Sequence, residues 1–310
     1  MSTDALSSRA IIGEFYNVLD QGAAGWATDL SFYSGSDQAS EEYKWLGMVP
    51  QMREMIGGRR AKGVRDDGVT ILNKDYEATL EILEKDLRRD KTDQIMLRIA
   101  DLADRANSHW AKILSTLIES GEDTTCYDGQ FFFDTDHSEG DSGTQDNDLT
   151  KTVTLSTAPT AAEMEAAIME CVEAMLGFLD NEGEPMNENA RSFLVMVPKT
   201  FWKAGVTALN CEVIVDGSAS RTNLITNING FDFRLVSNPR LSWTTKFTVF
   251  RTDARTAPFI RQEEVPVTMS AIAEGSELAF NEFKHHYGVY ASRNVGFGFW
   301  QQAALMTLSS

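Results

Sequence analysis

Cysteine is scarce and scattered in this 310-residue chain: Cys126, Cys171 and Cys211 are the three present. An odd, widely spaced set makes neither a disulfide framework nor a CxxC metal site, and points to folding in a reducing cytosol. Basic charge is also short. Lys and Arg number 28 against 46 Asp and Glu, a formal net charge of −18, so a sequence-independent grip on phosphates is not this chain's main business. No apolar run approaches the ~18 residues that cross a bilayer, and no basic-then-apolar leader opens the chain. A soluble protein with no membrane partner is expected. HExxH, GxSxG, Walker-type and GxGxxG-to-helix patterns are missing too, which removes the easily read zinc, hydrolase and nucleotide signatures and leaves no cofactor to assign.

Histidine is nearly as rare. His109, His137, His285 and His286 have no partners at metal-ligand spacing along the chain, and all four are read as structural or surface residues. Asp134-x-Asp136-x-Ser138 imitates the start of a calcium loop. Glu139, however, stands where the sixth-position glycine belongs and Gln145 where the twelfth-position glutamate belongs, so a solvated acidic loop is expected. In Val295-Gly296-Phe297-Gly298-Phe299-Trp300 the residues between the glycines are bulky and apolar, which fits a close-packed strand or turn and not a phosphate loop.

Apolar residues at 42% and charged residues at 24% give a globular composition, long enough for one large core or two modest ones. Residues 5–19 space their apolar side chains as a short helix. An irregular arm follows, rich in aromatics: Trp26, Phe32, Tyr33, Tyr43 and Trp45. That density wants a surface to lie on, and a neighbouring subunit could supply it. From Gly57 a basic run of Arg59, Arg60, Lys62 and Arg65 leads to an Asp66-Asp67-Gly68 turn and a returning limb over 69–83 with Glu77, Glu81 and, just beyond it, Glu84. This reads as a long hairpin, marginal by itself, whose opposite charges can face each other across the pair or across a subunit boundary. Ile95, Ile99, Leu102, Ala106, Trp110, Ile113 and Leu117 predict one continuous helix over 93–120, ended by Gly121.

Residues 137–150 read as an exposed loop. Residues 160–179 form a second amphipathic helix in which Thr160 and Glu163 offer a capping box. Strands at 193–197, 213–215, 231–236 and 247–250 and a helix begun by Pro198 suggest a compact α/β lobe. The tail adds strands at 265–269 and 287–291.

Between the long helix and the loop lies Cys126-Tyr127-Asp128-Gly129-Gln130-Phe131-Phe132-Phe133. Thiolate formation at Cys126 needs a cation or a base, and the nearby acids Asp123 and Asp128 oppose it. The run is read instead as a structural joint: Asp128-Gly129 is a turn pair, and Phe131 to Phe133 supply aromatic bulk that fixes the helix end to a sheet.

This run and the segment YKWLGMVPQMREMIGGRR at 43–60, followed by the Val69 to Lys74 and Asp75-Tyr76-Glu77 stretch, resemble the major head subunit of Mu-like tailed bacteriophages. The resemblance implies an α+β tailed-phage capsid fold, first described for the Hong Kong phage, and a structural protein that is not an enzyme. Its parts would be an N-terminal arm (1–56), an extended loop (57–83), a peripheral domain (84–157) with a spine helix at 93–120, an axial domain (158–255), and a return to the peripheral domain (256–310). Hexamers and pentamers would build an icosahedral head around double-stranded DNA, assembled in the bacterial cytoplasm. A portal complex would be a partner, and so would a decoration protein if the head carries one. Because 1–56 is too short for a large fused scaffold, a separate scaffolding protein and an uncleaved N-terminus are expected. Predicted intersubunit contacts are Trp45, Arg59, Arg60, Lys62, Arg65, Glu77, Glu81 and Glu84. The rival readings are a nanocompartment shell of the same fold and, in another class, an acidic α+β hydrolase.

Overall fold

The computed structural model describes residues 8–21, 25–43, 68–89, 93–217 and 219–310. Two sheets organise them. The first holds, in spatial order, β1 (Ser31–Gly35), β11 (Phe259–Ile272), β12 (Lys284–Phe297) and β4 (Asp75–Leu83). The second holds β5 (Asp148–Thr152), β13 (Ala303–Ser309), β10 (Lys246–Arg251), β6 (Ser192–Val197) and β9 (Asp232–Ser237). Two small ribbons complete the pairing: β2 (Ser40–Tyr43) with β3 (Val69–Leu72), and β7 (Val213–Asp216) with β8 (Ala219–Thr222).

The apolar pattern explains each layer. β6, Ser-Phe-Leu-Val-Met-Val, is buried along nearly its whole length, as a strand covered on both faces must be. Helix α6 (Ala161–Gly177) packs on this second sheet together with α7 (Trp202–Asn210). The expected capping box starts α6: the Thr160 side chain accepts from the Glu163 amide, and Glu163 reaches back to the Thr160 amide. A separate, smaller core forms where α1 (Ser8–Gln21) and α4 (Gln94–Asn107) cover the first sheet. Ile11, Phe15, Ile99 and Ala103 meet Ile82, Met269, Tyr287 and Val289 there. Each fully buried Ile or Phe stabilises this contact by roughly 1.5–3 kcal/mol. The described residues thus form two cores, and β12 runs through both, with Tyr287 and Val289 in the small one and Val295 and Phe297 in the large one.

The β11–β12 ladder slips register twice, between Glu263 and Val265 and between Val265 and Thr268. Pro266 lies inside the slip. It has no amide to donate, and β1 accompanies β11 only as far as Glu263, so the proline sits where one side of β11 is already unpaired. Each slip adds one residue to β11, the signature of a bulge.

Four expectations need correction. The predicted continuous helix of 93–120 is two helices, α4 and α5 (His109–Glu119), divided at Ser108. Arg293 Nη2 donates to the Ala106 carbonyl at 3.0 Å, so a side chain enters the helix ladder at that turn. The returning limb of the predicted hairpin, Val69–Leu83, is not one strand resting on a neighbour. Its first part, β3, pairs with β2, and its second, β4, pairs along its length with β12 of the same sheet. Gln262, fully buried, stitches the β2–β3 ribbon down: its amide donates to the Ile71 carbonyl (3.1 Å) and accepts from the Tyr43 hydroxyl (2.8 Å). The arm is accordingly part internal, with Tyr43 buried and Trp26 packed on the large core, while Phe32 and Tyr33 stay exposed. Finally, the predicted exposed loop of 137–150 contains buried His137, Gln145 and Asn147 and ends in β5, because Asn147 donates to the Phe132, Trp300 and Ala303 carbonyls in the large core.

Candidate functional site

The run read as a joint folds as a tight turn against the end of α5. Gly121 follows α5, and a Cβ there would lie 2.5 Å from Phe133 Cδ2, so only glycine lets the Phe133 ring close on the helix end. Phe133 donates its amide to the Gly121 carbonyl (2.9 Å). Thr125 bridges Phe131 in antiparallel fashion. The Cys126 amide donates to the Gln130 carbonyl (2.7 Å) and the Gly129 amide to the Cys126 carbonyl (3.2 Å). Gly129 adopts φ +88°, the left-handed conformation that the Asp-Gly pair predicts. Phe132 stacks on Phe297, centroids 4.4 Å apart, and meets Phe133 edge-on. Phe131, read as part of the anchor, points outward and is 41% exposed; the two residues after it do the anchoring. Tyr127 is buried, and its hydroxyl accepts from Gln301 Nε2 (2.7 Å).

Polar groups beneath this turn are joined by hydrogen bonds, with the buried His137 Nε2 left without a partner. Asp128 accepts from Cys126 Sγ (2.9 Å) and the Gln130 amide (3.1 Å) through Oδ1, and its Oδ2 meets His137 Nδ1 at 2.7 Å. The His137 ring is fully buried and lies against Trp300. Burial pushes the Asp128 carboxyl up, but the His137 and Cys126 hydrogen bonds outweigh it and hold the group below the usual range. Burial and then the Asp128 charge push the Cys126 thiol far up. No thiolate nucleophile forms here.

The sequence missed the spatial partners of His137. Cys126, Asp128 and His137 bring ligand-type atoms within 4.8 Å of one another, although nothing in their linear spacing shows it. Their separations of 2.9 and 2.7 Å are hydrogen-bond distances. Ligands on a tetrahedral zinc stand roughly 3.3–3.5 Å apart, given bonds of about 2.0–2.3 Å. The set is a clamp made of hydrogen bonds.

The residues predicted to meet other subunits fall into two groups. Trp45, Arg59, Arg60, Lys62 and Arg65 lie outside the described residues. Glu77 and Glu81 lie on β4, and Glu84 begins α3 (Glu84–Arg89). Glu81 pairs with Lys284 (3.2 Å) and His286 (3.1 Å), Glu84 pairs with Arg88, and Glu77 accepts from the Thr79 hydroxyl (3.0 Å). The structure does not bring them together with the joint. It does assemble a cationic basin that the sequence reading missed, from Arg105 and Lys112 on the two helices with Arg240 and Arg293. A cue existed: Arg105 and Lys112 are seven residues apart and share a helical face. The other two come from distant segments. No helix among the described residues is long and apolar enough to cross a membrane.

Comparison with known proteins bears on this geometry. The chain is 34% identical over 113 residues to the Mu-like prophage FluMu major head subunit of Haemophilus influenzae, covering 36% of this chain and 37% of that protein. It is 30% identical over 102 residues to the major capsid protein of Escherichia phage Mu, covering 33% of each. The aligned part thus spans about a third of either curated relative. Among solved structures, the procapsid of bacteriophage JBD30 matches with a TM-score of 0.54 at 20% identity, over 98% of this chain and 77% of that one. The bacteriophage PhiM1 mature capsid matches with a TM-score of 0.57 at 12% identity, over 92% and 87%. The chain therefore has the α+β tailed-phage capsid fold expected from the joint and the 43–60 segment. A family described as "Mu-like prophage major head subunit gpT" matches residues 7–161 and 229–307, leaving out the stretch that carries most of α6, β6 and α7. That match spans well over half of the chain, which belongs to the Mu-like prophage major head subunit gpT family.

Proposed function

We propose that this chain is the structural building block of a phage head and not an enzyme: copies of it associate as hexamers and pentamers into an icosahedral shell enclosing double-stranded DNA. Membership of the major head subunit family carries this reading. The charge fits it, since a wall of net −18 holds packaged DNA loosely. A separate scaffolding protein and a portal complex are its expected assembly partners, and a decoration protein is a further one if the head carries it. Such a protein would reside in the virion after assembly in the host cytoplasm.

In the same reading the arm is 1–56, the extended loop 57–83, the peripheral domain 84–157 with 256–310, and the axial domain 158–255. The second sheet draws β5 and β13 from the peripheral segments and β6, β9 and β10 from the axial one, so these two domains would share a sheet. Electron microscopy of the purified protein, with nuclease-protected DNA measured in the same particles, tests the proposal. Shells filled with DNA are expected. Protein-filled shells would turn the reading to a nanocompartment, and a monomer that forms no particle under any condition would sink it.

A further inference from the structure

A cavity of about 590 Å³ opens between the α4–α5 junction and the first sheet. Arg105, Lys112, Arg240 and Arg293 line it, with His109 and, as the one carboxylate on its wall among the described residues, Glu77. Its floor is fixed. Arg293 is buried, donates through Nε to His109 Nδ1 (3.1 Å) and through Nη2 to the Ala106 carbonyl, and lies over the Trp110 ring at 4.7 Å. The Tyr76 ring packs edge-on against His109 at 4.3 Å.

The rim is different. Arg105, Lys112 and Arg240 are exposed and form no ion pair with any described residue. His109 senses this: burial, and then the charges of Arg293, Lys112 and Arg240, push it down to about 4, so at neutral pH the imidazole adds no charge. One wall cation, Arg293, is paired with Glu263 (3.7 Å), so against the one wall carboxylate stand three cations with no ion pair among the described residues, in a chain whose net charge is −18. Positive potential gathered in a cleft attracts anionic groups more strongly than the same charges spread over a flat surface.

We propose that this basin is an intersubunit socket that receives carboxylate side chains from an acidic segment of a second copy of this chain. The inference rests on the shell reading above. Two observations select the occupant, and the geometry of a closed shell agrees with it. The volume exceeds what one small anion fills and suits several side chains. The acidic surplus of the chain repels long polyanions such as DNA, yet supplies carboxylates on every copy. A socket on one copy filled by a different surface of the next is a heterologous contact, the kind that closes into rings.

The test uses assembled particles made from a mixture of isotopically heavy and light chains, treated with a carbodiimide that joins amines to carboxylates at zero length. An amide between Lys112 of one copy and an Asp or Glu of another is expected in particles and not in free subunits. Lys112→Glu combined with Arg240→Glu changes only exposed side chains. It is expected to keep the subunit's melting temperature and to lower particle yield at least about tenfold, the effect of ~1.4 kcal/mol per contact. Normal particles from the double variant, or coupling of Lys112 only within its own copy, would overturn the socket. So would coupling to a different protein, or protection of Lys112 that follows DNA content and not assembly. If the unmodified chain forms no particles, the shell reading itself fails and takes the socket with it.

Discussion

His137 lies flat against Trp300, ring centroids 3.9 Å apart and planes within 9°, while its Nδ1 meets the Asp128 carboxylate. Both side chains of the His137–Asp128 pair are at most 1% exposed. Removing one partner of a buried pair strands the other without water. His137→Ala and Asp128→Ala are each expected to cost about 3–5 kcal/mol, read by denaturant unfolding of free subunits. A loss below about 1 kcal/mol in both would show that the pair holds nothing together.

Thiol chemistry separates the cysteines. Cys211 is exposed, whereas Cys126 and Cys171 are buried, and burial first, then a neighbouring acid, pushes both buried thiols far up. In the native subunit a maleimide should modify Cys211 alone. The other two should react only as the fold opens, and fast labelling of Cys126 under native conditions would contradict the clamp.

Gly121 gives a steric test of the same joint. An added Cβ meets Phe133 at 2.5 Å and the Ile118 carbonyl at 3.2 Å, and Phe133 is itself packed against Phe132. Gly121→Ala should destabilise by ~1–3 kcal/mol through overpacking. Phe133→Leu in the same chain should recover part of the loss, since the ring is what the methyl group strikes.

Asp148 makes stability depend on pH in a defined direction. Burial, and then repulsion from Glu122, push its carboxyl up to about 6 from 3.8, with Lys246 opposing. The folded form binds the proton more tightly than the unfolded chain. Its contribution is therefore fully present below the unfolded value and is lost as pH rises through about 6. Asp148→Asn should leave the melting temperature unchanged near pH 3 and raise it above pH 6. An equal shift at both pH values would refute the linkage.

The basic run Arg59, Arg60 and Arg65 is proposed to contact another copy, along with Trp45 and Lys62. Charge reversal of the three arginines to Glu should give folded subunits that assemble poorly, judged by light scattering beside circular dichroism. Because Glu81 and Glu84 already pair within their own chain, Lys substitutions there should restore assembly only in part. Normal heads from the triple variant would end this role.

Much of the fold could be read from local pattern. Thr160 and Glu163 announced the start of α6, Asp128-Gly129 announced its turn, and the apolar run of β6 marked a central strand. What escaped depends on partners far away in sequence. The break at Ser108 comes with the guanidinium of Arg293 at the Ala106 carbonyl, and no helical period records a side chain arriving from 187 positions away. His137 looked solvent-facing because its neighbours are polar, yet Trp300 and Asp128 enclose it. The charges of 69–84 were read against the basic limb of the hairpin or a neighbouring subunit; Lys284, His286 and Arg88, partners that reading did not name, engage Glu81 and Glu84 within the chain. The cationic basin is likewise a product of topology, since two helices, a strand and a loop each supply one cation.

The two register slips around Pro266 have a mechanical consequence. β11 and β12 join the small core to the large one as a ribbon, stiff to stretching because every extension works against its ladder of hydrogen bonds. From Glu263 to Thr268 the ladder is interrupted, and a bulge leaves its extra residue unpaired and increases the local right-handed twist. Any twist of one core against the other would therefore meet least resistance beside Pro266, where the fewest ladder hydrogen bonds oppose it, while the paired stretches on either side would keep the ribbon's length.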